Sequence, residues 1–290
     1  MTLTTISKEE FTSFANTVSH RSFIQSAEMA DLLEKRGNTV QFIAWKQENQ
    51  VRVAAILYSL PMTGGLHMEI NSGPLYQEEA MLEPFYAALK NYAKENGAIE
   101  LVIKPYDTYQ TFDSNGNPTS EEQTHFMDTL KNLGYQHDGL TTGYPGGEGD
   151  WHYVKDMEGI TEKNLLKSFS KKGKPLVKKA KSFGIELKRL NRDELQLFKD
   201  ITSSTSDRRD YQDKTLDYYQ TFYDSFGDNA DFMIATLNFH HYYTNLEKDQ
   251  GKLAQKIEKL QKDLEVNPNS EKKQNQLREF SSQFDTFEVR

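Results

Sequence analysis

Apolar and polar residues alternate with two different periods over the first 76 residues, and each period predicts one type of element. Ser7, followed three positions later by Glu10 and then by apolar residues at helical spacing, is typical of a capped helix start. "SAEMADLLEKRG" predicts a second short helix. "VQFIAW" and "VRVAAILYSLP" are β-rich runs separated by a polar turn, which predicts a hairpin, and "LHMEINSGPLY" predicts a third strand.

The same mixture continues to about residue 140. Apolar residues recur every three or four positions from Leu82 to Tyr92, which predicts an amphipathic helix from Glu78 to Asn96. "AIELVIKP" predicts a strand buried on both faces, residues 121–133 predict another helix, and a further strand is expected after it. Because helices and strands alternate, we expect a mixed α/β (α+β) layer.

A turn-rich segment with four glycines, residues 143–149, predicts a break between this unit and a second one. The second unit is predicted to contain strands at "DWHYVKDM", "GIELKRL" and "ADFMIATLN". Helices are predicted in a basic segment, around residues 194–202 and at "LDYYQTFYDSF". We therefore expect one domain at 1–150 and the N-terminal part of a second, similar domain at 151–238.

A seven-residue repeat marks the last fifty residues. Leu246, Leu253 and Leu260 fit a coiled-coil heptad, and Leu277 and Phe284 continue the rhythm after a turn at "VNPNS". Two helices joined by so short a turn must run antiparallel. We expect residues 239–290 to form an antiparallel coiled-coil arm.

Charge is distributed unevenly along the chain. The whole sequence carries a formal charge of −8, yet residues 163–192 contain 11 Lys plus Arg against the single acid Glu186. Clustered cations attract polyanions and release counterions when they bind them, so this block is a candidate tRNA or polyphosphate site. A solvated helix face is the alternative interpretation. The candidate residues are Lys171, Lys172, Lys174, Lys178, Lys179 and Lys181.

Several classes of protein and site are excluded or not expected. There is no cysteine, which excludes disulfides and thiolate chemistry. No apolar run approaches the roughly 20 residues that span a bilayer, and "MTLTTISKEEF" lacks the pattern of a secretory signal, so a cytoplasmic protein is expected. The only histidine pair, His240 and His241, is adjacent on a predicted helix and points in different directions, so no metal is expected.

Five segments occur in an order that is similar to a known family: "FIQSAEM", "NSGPLY", "KPYDTYQTFDSNG", "LKNLGYQHDGLTTGY" and "KSFSKKGKPLVKKAKSFGI". With the tyrosine-rich helix and the arm, they resemble the FemABX family of peptidoglycan-branching aminoacyltransferases, and most of all its streptococcal MurM and MurN members. The resemblance covers the whole chain. It implies two acetyltransferase-like (GNAT) domains, of which the second is incomplete within these 290 residues, and a helical arm.

The resemblance also implies a reaction and its partners. An amino acid of the alanine or serine type would pass from aminoacyl-tRNA to the stem-peptide lysine amine of lipid II or of a UDP-linked muropeptide precursor. The product is a branched cross-bridge, and no cofactor is expected. Because lipid II is membrane-bound, peripheral contact with the inner membrane face is a further expectation, without a transmembrane segment.

Candidate acceptor-binding residues follow from the same resemblance. A family lysine falls at Leu33, so Lys35 and Arg36, just beyond it, are the nearby cations. A family aspartate falls at Lys104, and a family arginine and tyrosine that line the acceptor cleft fall at Lys214 and Tyr218. Three further candidates lie beside these positions: Tyr106, Arg208 and Arg209.

Asp107 is a candidate for the catalytic base. It follows a predicted strand at the carboxyl end, where α/β sheets tend to place ligands, and it could take the proton of the acceptor amine if its pKa were raised. An aspartate that caps its own turn is the alternative.

Two other functions stay open at this point: a non-catalytic paralogue that binds tRNA or precursor, and an interaction protein whose arm pairs with a partner.

Overall fold

The computed structural model describes residues 2–140 and 150–287, which form a mixed α/β protein of two compact units. The first unit contains Met1–His152 and Arg192–Asp231, and the second contains Tyr153–Asn191 and Phe232–Arg290. The contacts thus group residues 192–231 with the N-terminal part of the chain. The limits of the two expected domains and of the arm stay predictions.

The described helices and strands are as follows in chain order. The helices are α1 (Lys8–Ala15), α2 (Ala27–Lys35), α3 (Leu82–Glu95), α4 (His125–Asn132), α5 (Glu162–Ser168), α6 (Gly173–Ser182), α7 (Leu195–Arg209), α8 (Leu216–Phe226), α9 (Phe239–Val266) and α10 (Glu271–Asp285). The strands are β1 (Thr2–Thr5), β2 (Thr39–Gln47), β3 (Gln50–Met62), β4 (Gly65–Asn71), β5 (Leu75–Tyr76), β6 (Ala98–Lys104), β7 (Ile185–Arg189) and β8 (Met233–Leu237).

The first unit is built on a six-stranded sheet with the order β1-β2-β3-β4-β6, and β5 pairs with β3. All pairs are antiparallel except the parallel pair β4-β6. Side chains of a strand alternate between the two faces, and both faces of β3 are buried. Val53, Ala55 and Leu57 pack with α3, while Ala54 and Ile56 pack with α1 and α2.

Gln25 fills the place where β4 separates from β3. The ladder between these strands ends at the pair Tyr58 and Glu69. Beyond it, the Gln25 Oε1 accepts a hydrogen bond from the Ile56 N–H (2.8 Å), and the Gln25 Nε2 donates one to the Asn71 carbonyl (2.6 Å). The side chain is 1% exposed. It therefore replaces two missing backbone bonds of the sheet.

The second unit contains α5 and α6, the antiparallel two-stranded sheet β7-β8, and the helix pair α9 and α10. Lys273 of α10 pairs with Asp263 of α9 (3.0 Å), and Lys256 lies over the Phe280 ring at 5.7 Å. These pairs fit two antiparallel helices. Leu253 of the predicted heptad is buried, and regular coiled-coil packing stays a prediction.

Several elements differ from the sequence-based expectations. β6 is not buried on both faces, because it pairs only with β4 at the sheet edge and leaves Ile99 57% exposed. "DWHYVKDM" does not form a strand, and the basic segment is two helices separated by a turn. The strand β1 was not predicted. The strand expected after α4 is not seen up to residue 140, and residues 141–149 lie outside the described residues.

None of the described helices is both long and apolar enough to cross a bilayer.

Candidate functional site

Four of the predicted acceptor-binding residues meet where α2 packs against α8. The Arg36 guanidinium carbon lies 5.5 Å from the centre of the Tyr218 ring, and the Lys214 ammonium lies 5.4 Å from it. Lys35, one residue before Arg36, donates a hydrogen bond to the Ser225 hydroxyl (3.0 Å). We call Lys35, Arg36, Lys214 and Tyr218 the cation cluster.

The local sequence explains why these side chains converge. Thr215 caps α8 by accepting a hydrogen bond from the Tyr218 N–H (3.1 Å), which places Lys214 directly before the helix and Tyr218 in its first turn. Arg36 is the residue at which α2 ends. At the other end of α8, Phe226 is buried, and its ring stacks on Phe222 at 4.5 Å. The apolar stripe of α8 therefore fixes the helix, while Tyr218 remains half-exposed.

The electrostatics of the cation cluster favour an anion. In the described part of the chain, neither Arg36 nor Lys214 forms an ion pair with a carboxylate. Two like charges that face one aromatic ring repel each other, and only part of this repulsion is offset by attraction to the ring. A bound phosphate would neutralise both charges and could accept bidentate bonds from arginine.

Arg208 and Arg209 lie in the last turn of α7, before the loop that leads to Lys214. Arg208 faces an open groove on α7 that is lined by Asp200, Ser204 and Thr205. Arg209 is exposed at the last residue of α7. In the described part of the chain, neither Arg208 nor Arg209 forms a cation–π contact with the Tyr218 ring, which faces Arg36 and Lys214.

Asp107 lies in a second group at the carboxyl end of β6. Its carboxylate accepts a hydrogen bond from the Tyr76 hydroxyl. Burial raises the pKa of Asp107 above its ordinary value, and the Tyr76 hydrogen bond opposes this only in part. Burial, together with the bond to Asp107, likewise raises the pKa of Tyr76. The carboxylate is thus a stronger base than an exposed aspartate, which is what proton transfer would require.

His20 belongs to the same group and was not predicted from the sequence. Its ring stacks on Tyr106 at 5.0 Å, and its Nε2 lies 3.0 Å from the Tyr106 carbonyl oxygen. Because a carbonyl only accepts, Nε2 carries the hydrogen and Nδ1 is the basic nitrogen when the ring is neutral. Tyr76 was missed as well, since only the fold brings it next to Asp107.

Lys104 has a different environment from the one expected. Its ammonium pairs with Glu69 of the neighbouring strand β4 (3.0 Å), whose side chain is 9% exposed. Although burial alone would raise the pKa of Glu69, hydrogen bonds from Lys104, Tyr58 and His67 hold it below the ordinary value. The positive charge of Lys104 is therefore already compensated within the sheet.

His67 joins this network and gives it a pH dependence. Its Nδ1 lies 2.6 Å from Glu100, and its Nε2 lies 3.2 Å from Glu69. Burial lowers the pKa of His67, but the hydrogen bonds to Glu100 and Glu69 outweigh burial and raise the pKa above its ordinary value. A raised pKa in the folded state stabilises the protein below the unfolded pKa of about 6.5, and this stabilisation is lost as the pH rises through the folded pKa.

We therefore expect His67→Gln to lower the free energy of unfolding at pH 5.5 by on the order of 1 kcal/mol, with a smaller effect at pH 8.5. Urea unfolding at both pH values measures the difference between variant and wild type. His137→Gln is the control because His137 is exposed. A loss that is equal at the two pH values would contradict the pairing of a protonated His67 with the two glutamates.

The six lysines of the basic block lie in the second unit. Lys171 and Lys172 precede α6, and Lys174, Lys178, Lys179 and Lys181 lie on it. Five of the six are exposed and Lys174 is half-buried. Phe183, where α6 ends, packs edge-to-face on Tyr242 of α9 at 5.2 Å, which fixes the helix to this unit. None of the six forms an ion pair with a described carboxylate.

Within residues 2–140 and 150–287, no group of three or more histidine, aspartate or glutamate side chains is arranged to hold a metal ion.

Comparison with known proteins identifies relatives along almost the whole chain. Aminoacyltransferase FemB of Staphylococcus epidermidis is 28% identical over 253 residues, which are 86% of this chain and 61% of FemB. Aminoacyltransferase FemA of Staphylococcus aureus is 26% identical over an alignment of 294 positions, which covers 99% of this chain and 70% of FemA. The chain thus spans about three fifths of the length of the FemB relatives that it matches.

A solved structure and a family model agree with these relatives. The crystal structure of FemX superimposes with a TM-score of 0.67 at 19% identity, and the match covers all of this chain and 71% of FemX. This similarity shows a common fold. The closer similarity to MurM and MurN stays a prediction. Because the model of the FemAB family matches residues 6–290, the chain belongs to the FemAB family.

Proposed function

We propose that this chain is the substrate-binding and catalytic part of an aminoacyltransferase that builds peptidoglycan cross-bridges. Family membership supports the reaction class, and the observation that carries the proposal is the convergence of Arg36 and Lys214 on the Tyr218 ring, with Lys35 next to Arg36 and bonded to Ser225 of α8. The donor would be an aminoacyl-tRNA with alanine or serine. The acceptor would be the stem-peptide lysine amine of lipid II or of a UDP-linked muropeptide, and both carry a diphosphate that fits the cation cluster.

The chemistry needs little beyond alignment and one proton acceptor. The neutral lysine amine attacks the ester carbonyl of the aminoacyl-tRNA, the new C–N bond forms, and the ester C–O bond breaks. The proton of the amine passes to a base, and the terminal ribose hydroxyl of the tRNA leaves with a proton. Asp107, whose pKa burial raises, is our candidate for the base.

The basic block is proposed to hold the polyphosphate of the tRNA. Its six lysines provide charge that no described carboxylate neutralises, and α6 contains no aromatic side chain on which a base could stack. We therefore propose backbone contacts rather than sequence recognition. Residues 1–150 and 151–238 are interpreted as acetyltransferase-like domains, the second of them incomplete within this chain, and residues 239–290 as a coiled-coil arm. Action in the cytoplasm, with peripheral contact to the inner membrane face, fits a lipid-linked acceptor.

Single-turnover transfer tests the proposal as a whole. Radiolabelled alanine or serine on charged tRNA is mixed with this 290-residue chain and a lysine-containing lipid II analogue. Amide formation above the background without protein would support the transferase. Binding of the analogue by folded protein without transfer would instead identify a non-catalytic binding protein, and the absence of both would refute the proposal.

Charge reversal in the cation cluster should weaken acceptor binding. We expect Lys214→Glu to lower the affinity for a UDP-linked muramoyl pentapeptide by roughly 30-fold, because it removes one phosphate-binding charge and adds a repulsive one. Isothermal titration calorimetry measures the affinity, and Lys94→Glu, on the exposed side of α3, is the control. Equal affinities of Lys214→Glu and wild type would show that the diphosphate lies elsewhere.

A further inference from the structure

Asp213 makes an unusual number of contacts for a loop carboxylate. One oxygen, Oδ2, accepts bonds from the Lys199 ammonium (2.6 Å) and the Thr202 hydroxyl (3.0 Å), and the Ser203 hydroxyl lies 3.3 Å away. The other oxygen, Oδ1, accepts bonds from the Lys214 N–H (2.8 Å) and the Tyr219 hydroxyl (2.8 Å). The side chain of Asp213 is 8% exposed.

These contacts tie together three segments. Lys199, Thr202 and Ser203 lie on α7, Tyr219 lies on α8, and Lys214 lies in the loop between them. The Lys199 ammonium, opposed by burial, holds the pKa of Asp213 well below its usual range, so the carboxylate is ionised at neutral pH. Hydrogen bonds to an ionised acceptor are shorter and stronger than neutral ones. Asp213 is therefore a firm anchor for the loop.

The loop has fixed ends and Asp213 near its middle. At the start, α7 ends at Arg209, Asp210 takes the left-handed conformation (φ 52°), and the Tyr211 N–H bonds the Ser206 carbonyl (3.2 Å). At the end, Thr215 caps α8. Asp213 binds the backbone N–H of the residue that follows it, Lys214. The position of the Lys214 ammonium over the Tyr218 ring therefore depends on where Asp213 is held.

We propose that Asp213 is a positioning residue for the acceptor site: it holds the Lys214 backbone against α7 and α8, so that the Lys214 ammonium reaches the phosphate that the cation cluster binds. This inference rests on the proposed function. Asp213 itself does not contact the substrate. Its effect is on acceptor affinity, and the donor and the chemical step are not affected.

The experiment compares two variants that disturb the same carboxylate differently. Asp213→Asn replaces the ionised anchor by an amide, whereas Lys199→Met removes a partner on α7 and leaves Asp213 bonded to the Lys214 N–H. Both should lower the melting temperature. We expect Asp213→Asn to weaken binding of the UDP-linked muramoyl pentapeptide by about tenfold, and Lys199→Met, which leaves Asp213 its other four donors, to weaken it by no more than about threefold. Asp213→Asn should raise the KM for the acceptor, with kcat and the KM for aminoacyl-tRNA unchanged.

Asp200→Asn is the control, because Asp200 lies on α7 and contacts Gln196 instead of the loop. Equal losses of affinity in Asp213→Asn and Lys199→Met would show a merely structural role and overturn the proposal. The proposal would also be overturned if wild type binds the pentapeptide, Lys214→Glu weakens this binding, and Asp213→Asn leaves the affinity unchanged. Failure of the wild type to bind would refute the proposed function instead.

Whether Asp213 holds Lys214 in place can also be measured without ligand, so this test does not depend on whether wild type binds the pentapeptide. Lys214 is exposed, so trypsin can cut after it when the loop leaves its place. We expect Asp213→Asn to raise the cleavage rate after Lys214 by about tenfold over wild type, and by more than Lys199→Met does, because the loop opens more easily once its ionised anchor is gone. An unchanged rate would overturn the positioning role.

Discussion

Replacing Lys171, Lys172, Lys178 and Lys179 by glutamate should weaken tRNA binding by roughly a thousandfold at low salt, because each change removes a phosphate contact and adds repulsion. None of these lysines pairs with a described carboxylate, and all four are exposed, so the fold should persist. Circular dichroism and the melting temperature check that it does.

The salt dependence of the same interaction gives an independent number. Each phosphate contact releases condensed counterions, so the slope of log Kd against log salt concentration should become shallower by about three in the fourfold variant. Fluorescence anisotropy with labelled tRNA at several salt concentrations measures both affinity and slope. If the basic block is a specific electrostatic site, the fourfold variant should show both a lower tRNA affinity and a shallower salt dependence.

A matched control separates a binding surface from a general effect of charge. Replacing Lys94, Lys248, Lys259 and Lys272 by glutamate changes the net charge by the same amount, and these exposed lysines are spread over α3, α9 and α10. The control should bind tRNA within about fivefold of wild type. If it loses as much affinity as the first variant, the basic block is only a solvated helix face.

The first unit was largely predictable because its hydrophobic periods are regular. Apolar residues recur with a period of two in the hairpin β2-β3 and with a period of 3.6 in the helix α3, so both elements follow directly from the sequence. The apolar run of β6 predicted a strand buried on both faces, whereas β6 lies at the sheet edge, since an apolar run does not reveal whether a strand is central or at an edge. The basic segment predicted a helix but not the turn that separates α5 from α6.

The candidate site was predictable only in part, because its members come from distant positions. Lys35, Arg36, Lys214 and Tyr218 were candidates by resemblance, and the structure brings them together. Tyr76, His20 and Asp213 carry no local signal. Asp213 in particular has the sequence context of an ordinary loop residue, and only the fold places four donors of α7 and α8 around it. Burial and hydrogen bonding across the chain decide such roles, and periodicity does not report them.

Gln25→Leu should lower the free energy of unfolding of the first unit by about 2–5 kcal/mol, because it removes two hydrogen bonds to the backbone, one of them to the buried Ile56 N–H. The Ile56 N–H and the Asn71 carbonyl are bonded by the Gln25 side chain at 2.8 and 2.6 Å, and a leucine of similar size can bond neither. There is also little room for adjustment. A Cβ on Gly73 would lie 2.8 Å from the Gln25 Cδ, so the backbone already packs closely against this side chain.

Urea unfolding followed by circular dichroism measures this loss, with Gln50→Leu as the matched control, because Gln50 is exposed at the turn between β2 and β3. The control should stay within about 0.5 kcal/mol of wild type.

Gln25 connects β3 to the end of β4, and Tyr76, the partner of Asp107, follows a few residues later. We therefore expect Gln25→Leu to slow transfer even where the protein is still folded. A loss of stability below about 1 kcal/mol would show that another group, such as a water molecule, forms the hydrogen bonds to β3 and β4 in place of Gln25.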